Sequence, residues 1–200
     1  MNSPDLKRAR QYALERLERE LPDTLIYHNL AHTRDSVAPA TERLAALEGV
    51  DGKDLLLLRT AAYFHDLGFV EQMTDHEATA VRIISEVLPR FGYSPAQVDV
   101  VSGIILATRI PQDPHTLLEE IMADADLDLF GRDDFWPLNR ALRAELKALG
   151  RPMTDKEWYG GQLAFLQAHH YFTASARALR QARKQRHVEE LAALLEGCRA

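Results

Sequence analysis

The chain has 200 residues and a formal net charge of −6, with 46% hydrophobic and 27% charged residues, a composition that fits a folded globular domain with a large core and argues against disorder. The acidic balance disfavours general nucleic-acid binding, and no run approaches the ~20 apolar residues that cross a membrane. The single cysteine, Cys198, excludes a disulfide framework and a cysteine-rich zinc site, so we expect a reducing, cytoplasmic setting and a small-molecule partner.

Apolar residues recur with the 3.6-residue period of an α-helix along most of the chain. The two clearest stripes consist of Leu6, Ala9, Ala13, Leu14, Leu17 and Leu21, and of Leu55, Leu58, Ala61, Ala62 and His65. Helix starts are indicated by Ser3-Pro4, by Ser94-Pro95 with Gln97, and by Thr154 with Glu157. Helix ends are indicated by Gly49, Gly52, Gly68, Gly92, Gly131 and Gly150.

No stretch alternates polar and β-branched residues as a strand would, so we predict an all-α fold of about eight or nine helices. Residues 1–200 are expected to form a single domain, with a functional core at about 25–130 and a C-terminal helical part at about 132–200. Gly160-Gly161 is the pair at which we expect a long helical pattern to start late or to bend.

Four ionisable residues lie inside three otherwise apolar stretches: His32, His65, Asp66 and Asp126. A buried carboxylate or imidazole without a partner costs several kcal/mol, and a divalent cation shared by the four groups would remove that cost. We therefore interpret the set as one metal site, whose nitrogen and oxygen ligands suit Mn, Fe, Co, Ni or Zn and suit Mg less well. An alternative for the adjacent pair is that Asp66 only orients His65 or a nearby arginine.

His28 precedes His32 by four residues, so both imidazoles project from one face if this segment is helical. The pair alone is a weak indication of a site, because a core histidine bonded to a backbone carbonyl is about as common as a metal ligand.

The order of a histidine, a His-Asp pair and a distant aspartate resembles the HD superfamily of metal-dependent phosphohydrolases over about residues 25–130. Tyr27-His28-Asn29 followed by His32, and Ala125-Asp126-Leu127, are also similar to motifs of the class I cyclic-nucleotide phosphodiesterases. The C-terminal part, with Phe165-Leu166 and the segment 169–173, looks like that of small bacterial HD proteins.

The resemblance implies a helical HD-domain bundle that binds a divalent metal through His32, His65, Asp66 and Asp126. It also implies that His28 protonates the leaving oxygen. The expected activity is hydrolysis of a phosphate ester, such as a nucleotide or a related phosphomonoester or phosphodiester, by metal-activated water. Two alternatives stay open: a non-catalytic binding or signalling module with a residual metal site, and a di-iron oxygenase.

Further candidates flank this set. HD proteins with two metals usually offer more histidines after the His-Asp pair, and here His76 is the main candidate, so one ion is favoured over two. Glu77 is a candidate for positioning a catalytic water, although Asp75 as helix cap with Glu77 in the first turn is a sufficient structural reason for both acids. Arg109 is a candidate for binding a substrate phosphate, with a surface salt bridge as the alternative. Asp124 is expected to contact a ligand residue or to cap a helix.

The remaining histidines are predicted to be structural. His115 is expected in a loop at the start of a helix, and His187, among charged neighbours, is expected to be exposed. His169 is a minor candidate for reaching the pocket. The basic run from Arg177 to Arg186 is expected to form a solvated helix face.

Overall fold

The computed structural model describes residues 3–198, and within this range it contains nine α-helices and no strand. The helices are α1 (Leu6–Glu20), α2 (Ala38–Leu47), α3 (Gly52–Phe64), α4 (His76–Val87), α5 (Pro95–Leu106), α6 (Leu117–Asp126), α7 (Phe135–Ala148), α8 (Asp155–Ala168) and α9 (Ala174–Gly197). A π-helical segment, His32–Val37, leads into α2, and 3-10 turns span Leu67–Val70, Leu88–Phe91 and Asp128–Gly131. The predicted all-α fold and helix number are confirmed.

The caps account for most helix boundaries. Ser94 with Gln97 and Thr154 with Glu157 form the two predicted capping boxes, at the starts of α5 and α8. The first helix starts later than Ser3-Pro4 indicated, because the Asp5 carboxylate accepts the Arg8 backbone N–H and caps α1. The late helix start considered at Gly160-Gly161 is wrong, because α8 begins at Asp155 and continues through both glycines, whereas a bend at this pair stays a prediction.

The described residues fall into two compact units. The N-terminal unit comprises residues 3–22 and His28–Asp126, and in it α3 packs against α1, α2, α5 and α6. That central position fits the sequence of α3, which is apolar on most of its surface and buries Leu57, Leu58, Ala61, Ala62 and Phe64. Its C-terminal end therefore lies inside this unit.

The C-terminal unit comprises Asp23–Tyr27 and residues 127–198. Here α9 packs against α8 and against the 3-10 turn Asp128–Gly131. Gly131 permits this approach, because a Cβ at that position would overlap the Arg180 backbone. That residues 1–200 form one domain stays a prediction.

The expectation that His187 is exposed is wrong. His187 is buried, its Nδ1 lies 2.8 Å from the Phe130 carbonyl oxygen, and its ring stacks on Phe135 at 4.4 Å. The spacing of Lys184, His187 and Leu191 places all three on one buried stripe of α9. The charged neighbours in sequence face other directions, and the basic run is therefore only partly a solvated face.

None of the helices within residues 3–198 is long and apolar enough to span a membrane.

Candidate metal centre

The His-Asp pair lies where α3 ends. Helix α3 stops at Phe64, and His65 and Asp66 follow in a turn inside the N-terminal unit. The Nδ1 atom of His65 lies 3.0 Å from the Ala62 carbonyl oxygen. Because a carbonyl only accepts hydrogen bonds, Nδ1 carries a proton in this contact, and Nε2 is the ring nitrogen that a metal ion would bind in place of a proton.

His32 reaches the same place from the segment before α2. The Asn29 side-chain oxygen accepts the backbone N–H groups of Ala31 at 2.9 Å and His32 at 3.1 Å, which caps the start of this helical stretch. His32 then opens the π-helical segment, a geometry frequent at functional sites. Its side chain is buried. Asn29 could have been identified from the sequence, since Asn is a preferred residue at the N-cap position directly before a helix.

Asp126, the last residue of α6, completes the set predicted from the sequence. Its Oδ1 lies 3.3 Å from Nε2 of His32 and 3.5 Å from Nε2 of His65. Asp66 Oδ2 lies 3.4 Å and 3.2 Å from the same two nitrogens. Neighbouring ligands bonded to one cation at about 2.0–2.2 Å lie roughly 3–3.6 Å apart, so these separations fit a shared ion.

The burial of these atoms supports the same interpretation. Among residues 3–198, Nε2 of His65 and Oδ2 of Asp66 are buried and have no hydrogen-bond partner, although they lie 3.2 Å apart. His32, His65 and Asp66 each offer a ligand atom within 4.8 Å of the others. Leaving buried polar atoms unsatisfied is costly, and a divalent cation would satisfy them together. The residues present therefore fit a metal ion.

The charges of the cluster favour a cation. Burial alone lowers the pKa of His65, but the carboxylates of Asp66 and Asp126 outweigh it and hold that pKa well above its usual value. Burial raises the pKa of Asp66, but the neighbouring histidines outweigh this and hold it well below its usual value. The pKa of Asp126 is lowered in the same way by His32 and His65. Both carboxylates are thus ionised, and a metal ion would compete with protons for the histidine nitrogens.

His76 and Glu77 lie beside this cluster at the start of α4. His76 Nε2 is 3.3 Å from Asp66 Oδ1, and His76 Nδ1 is 3.5 Å from Glu77 Oε2. Asp66 therefore directs Oδ2 towards His32 and His65 and Oδ1 towards His76, as a carboxylate that bridges two ions would. Gly68 permits this approach, because a Cβ there would overlap the His76 carbonyl oxygen.

His28 lies outside the helix, contrary to the helical arrangement considered from its spacing. The residue is in a bend, and the helical stretch begins at Leu30. The half-buried ring nevertheless lies 5.6 Å from the His32 ring, and 4.9 Å from the ring of Phe69. Phe69 also stacks on His76 at 3.8 Å, a contact that no sequence pattern predicts.

Arg109 is exposed and forms an ion pair with Asp75, the surface salt bridge considered as the alternative. Asp75 has a φ of 57°, precedes α4, and makes no cap hydrogen bond with its side chain. Asp75 is the N-cap residue of α4 and Glu77 lies in the first turn, as predicted, but the Asp75 carboxylate contacts Arg109 instead of the helix backbone. Binding of a substrate phosphate by Arg109 stays a prediction, as does the role of Asp124, which is fully buried within α6.

His115 lies in the loop just before α6, as predicted, and is exposed. The rings in contact with His169 are Phe130 and Tyr171, both in the C-terminal unit.

Comparison with known proteins gives one match. The family model for the HD domain matches residues 26–128, which is more than half of the chain and includes every residue of the candidate metal centre. No curated protein and no solved structure matches the chain significantly. Because the match covers most of the N-terminal unit with its His-Asp pair, the chain belongs to the HD-domain family.

Proposed function

We propose that this chain is a metal-dependent phosphohydrolase that acts on a small phosphate ester, with nucleotides and related phosphomonoesters or phosphodiesters as the first class to test. The observation that carries this proposal is the convergence of four side chains. Two imidazole nitrogens each lie 3.2–3.5 Å from two carboxylate oxygens, and the atoms from His65 and Asp66 are buried without hydrogen-bond partners among residues 3–198.

In this proposal His32, His65, Asp66 and Asp126 hold one divalent cation, from the group Mn, Fe, Co, Ni or Zn, with Mg a weaker fit. A second ion would need Asp66 to bridge and His76 to contribute its Nε2. A bound cation would polarise a phosphoryl oxygen and lower the pKa of a coordinated water. The net negative charge of the chain does not oppose an anionic substrate, because the local charge of the ion dominates the site.

The protein groups around the cluster have separate tasks. The carbonyl of Ala62 holds the His65 proton on Nδ1, which fixes the orientation of that ring. Glu77 lies next to His76 and would orient the attacking water or accept its proton through that imidazole. Arg109, held at the adjacent Asp75, would add positive charge for the substrate phosphate.

His28 is proposed as the acid that protonates the leaving oxygen. Its ring is half-buried and adjoins His32, so it can face a substrate at the centre while keeping access to solvent protons. An imidazole suits this step because its ordinary pKa lies near neutral pH.

The test is a metal and activity measurement on three proteins. Wild type, His65→Ala and His115→Ala are loaded with each metal, desalted, analysed for bound metal and assayed on a panel of phosphate esters. His115 is the matched control, because it is an exposed histidine of the same unit. We expect about one equivalent of metal and ester hydrolysis in wild type and in His115→Ala, and neither in His65→Ala.

Other results would favour the alternatives. Two bound irons without ester hydrolysis would favour an oxygenase, and absence of bound metal would favour a binding or signalling module.

A further inference from the structure

Phe69 joins two histidines at the edge of the candidate metal centre. It lies in the 3-10 turn that follows Asp66, and only 7% of it is exposed. Its ring lies 3.8 Å from the His76 ring at an interplanar angle of 14°, and 4.9 Å from the His28 ring at 40°. One buried aromatic side chain thus contacts both imidazoles.

The two ring contacts with Phe69 limit the orientations of the His28 and His76 imidazoles. Asp66 Oδ1 and Glu77 Oε2 lie near the two nitrogens of His76, but contacts at ring edges do not fix the plane of an imidazole. The parallel face of Phe69 does fix it. His28 lies in a bend, and its ring contacts the Phe69 ring, so the Phe69 ring limits the orientations of that imidazole.

The turn itself is firmly placed. Phe69 N–H donates to the Asp66 carbonyl oxygen at 3.1 Å, so the Phe69 backbone is held beside the residue at the centre of the cluster. Gly68, next to it, lies so close to the His76 backbone that no Cβ fits between them. The turn and the start of α4 therefore pack against each other without a gap.

We propose that Phe69 is a positioning residue that sets the orientations of both His28 and His76 towards the centre. Phe69 is buried and acts through the histidines rather than on the substrate. The consequence for turnover rests on the proposed function, whereas the consequence for the two imidazoles does not.

The first test is kinetic. Phe69→Leu keeps an apolar side chain but removes the ring, and we expect kcat to fall roughly 10- to 100-fold with KM nearly unchanged, as for misplaced catalytic groups. Phe69→Tyr keeps the ring and should restore most of the rate. Phe91→Leu is the matched control, because the Phe91 ring packs against Tyr12 and Arg8, outside the candidate metal centre, and this variant should keep wild-type kinetics.

A double-mutant cycle separates positioning from a general loss of stability. If Phe69 acts through His28, Phe69→Leu should cost much less in a His28→Ala background, because the group that it orients is already gone. The same comparison in a His76→Ala background measures the other half of the proposal. Fully additive losses in both backgrounds would overturn it.

The second test does not need activity. In protein labelled with ¹³C-histidine and supplied with Zn²⁺, Phe69→Leu should raise the mobility of the His28 and His76 rings, measured by ¹³C relaxation. His187, held by Phe130 and Phe135 in the other unit, is the internal control and should not change. Unchanged His28 and His76 signals would refute a positioning role.

The two proposals fail in different ways. A wild-type protein that hydrolyses no ester with any metal would refute the proposed function, and the relaxation measurement would then decide the role of Phe69 alone. If wild type is active but the mobility of the His28 and His76 rings does not change in Phe69→Leu, only the positioning role is refuted.

Discussion

The two units bury polar side chains in different circumstances. In the C-terminal unit the Glu145 carboxylate accepts the Tyr27 N–H at 2.7 Å, and the Asp128 carboxylate accepts the Arg180 Nε–H at 2.6 Å. In the N-terminal unit, His65 Nε2 and Asp66 Oδ2 have no hydrogen-bond partner among the described residues. A buried polar residue with a protein partner is explained by the fold, whereas a cluster without one indicates a ligand from outside the chain.

His169 shows that a missing partner is not sufficient. Both of its ring nitrogens are buried without a hydrogen-bond partner within residues 3–198, yet its surroundings are the rings of Phe130 and Tyr171 and the cation of Lys184. Burial first, and Lys184 second, lower the pKa of His169 to about 3, so the imidazole is neutral at physiological pH. A metal ion there would be repelled by Lys184. What distinguishes the N-terminal cluster is the combination of unsatisfied atoms with ionised acids.

The largest effect is expected when a buried histidine of the candidate metal centre is removed and the result is compared with removal of a buried histidine of the C-terminal unit. His65→Ala should abolish metal binding and lower turnover by at least about 10³-fold, because the ion and its activated water go with the ligand. His187→Ala, a buried histidine of the other unit, should keep metal and specific activity but lose about 2–4 kcal/mol of unfolding free energy, since it leaves a cavity and an unpaired Phe130 carbonyl. Metal analysis, rate assays and urea denaturation measure these effects. Loss of bound metal in His187→Ala would contradict the division between the units.

A comparison of two further histidines tests the proposed acid. His28→Ala should keep its metal and lose roughly 10²–10⁴-fold in rate on esters with poor leaving groups, and far less on a p-nitrophenyl ester that needs little protonation. His169→Ala should leave both rates unchanged, because a neutral imidazole of such low pKa donates no proton. If His28→Ala loses metal and both rates together, His28 is a ligand, and if it loses neither, it is a structural histidine.

The two closely packed glycines provide a third comparison. Gly68→Ala and Gly131→Ala each place a Cβ against a backbone, that of His76 and that of Arg180, and each should cost about 1–3 kcal/mol of unfolding free energy. Only Gly68→Ala should also lower kcat, roughly tenfold, since displacing His76 disturbs the site. Equal catalytic losses in the two variants would show that stability, and not His76, controls the rate.

Most helices and several site residues could be predicted from the sequence, because helical periodicity and helix caps depend on residues close together in the chain. The capping boxes at Ser94 and Thr154 are examples. Asp126 and Asp128 mark the limit: both lie in one apolar stretch, yet Asp126 faces two histidines and Asp128 pairs with Arg180, 52 residues away. No local pattern distinguishes them, because the apolar surroundings that indicated Asp126 surround Asp128 as well.

Prediction from the sequence failed for residues whose environment is determined by tertiary contacts rather than by their neighbours in the chain. His187 was expected to be exposed because its neighbours are charged, but its helical position places it against Phe130 and Phe135. Phe69 was not identified because an aromatic residue in an apolar stretch is ordinarily part of the hydrophobic core. Its contact with His28 joins residues 41 positions apart, which periodicity cannot reveal.

The smallest effect is expected from the ion pair of Arg109 and Asp75, the exposed counterpart of the pair in which the half-buried Arg180 contacts the buried Asp128. Arg109→Ala should change the unfolding free energy by less than about 1 kcal/mol, because solvent screens both charges. Arg34→Ala is a close control, since the Arg34 and Asp35 side chains are 47% and 55% exposed, against 47% and 58% for Arg109 and Asp75. If Arg109 binds the substrate phosphate, its loss should raise KM roughly tenfold without lowering kcat, whereas Arg34→Ala should change neither constant. Identical kinetics in both variants would limit Arg109 to its salt bridge with Asp75, and recognition of the phosphate would then depend on the metal centre alone.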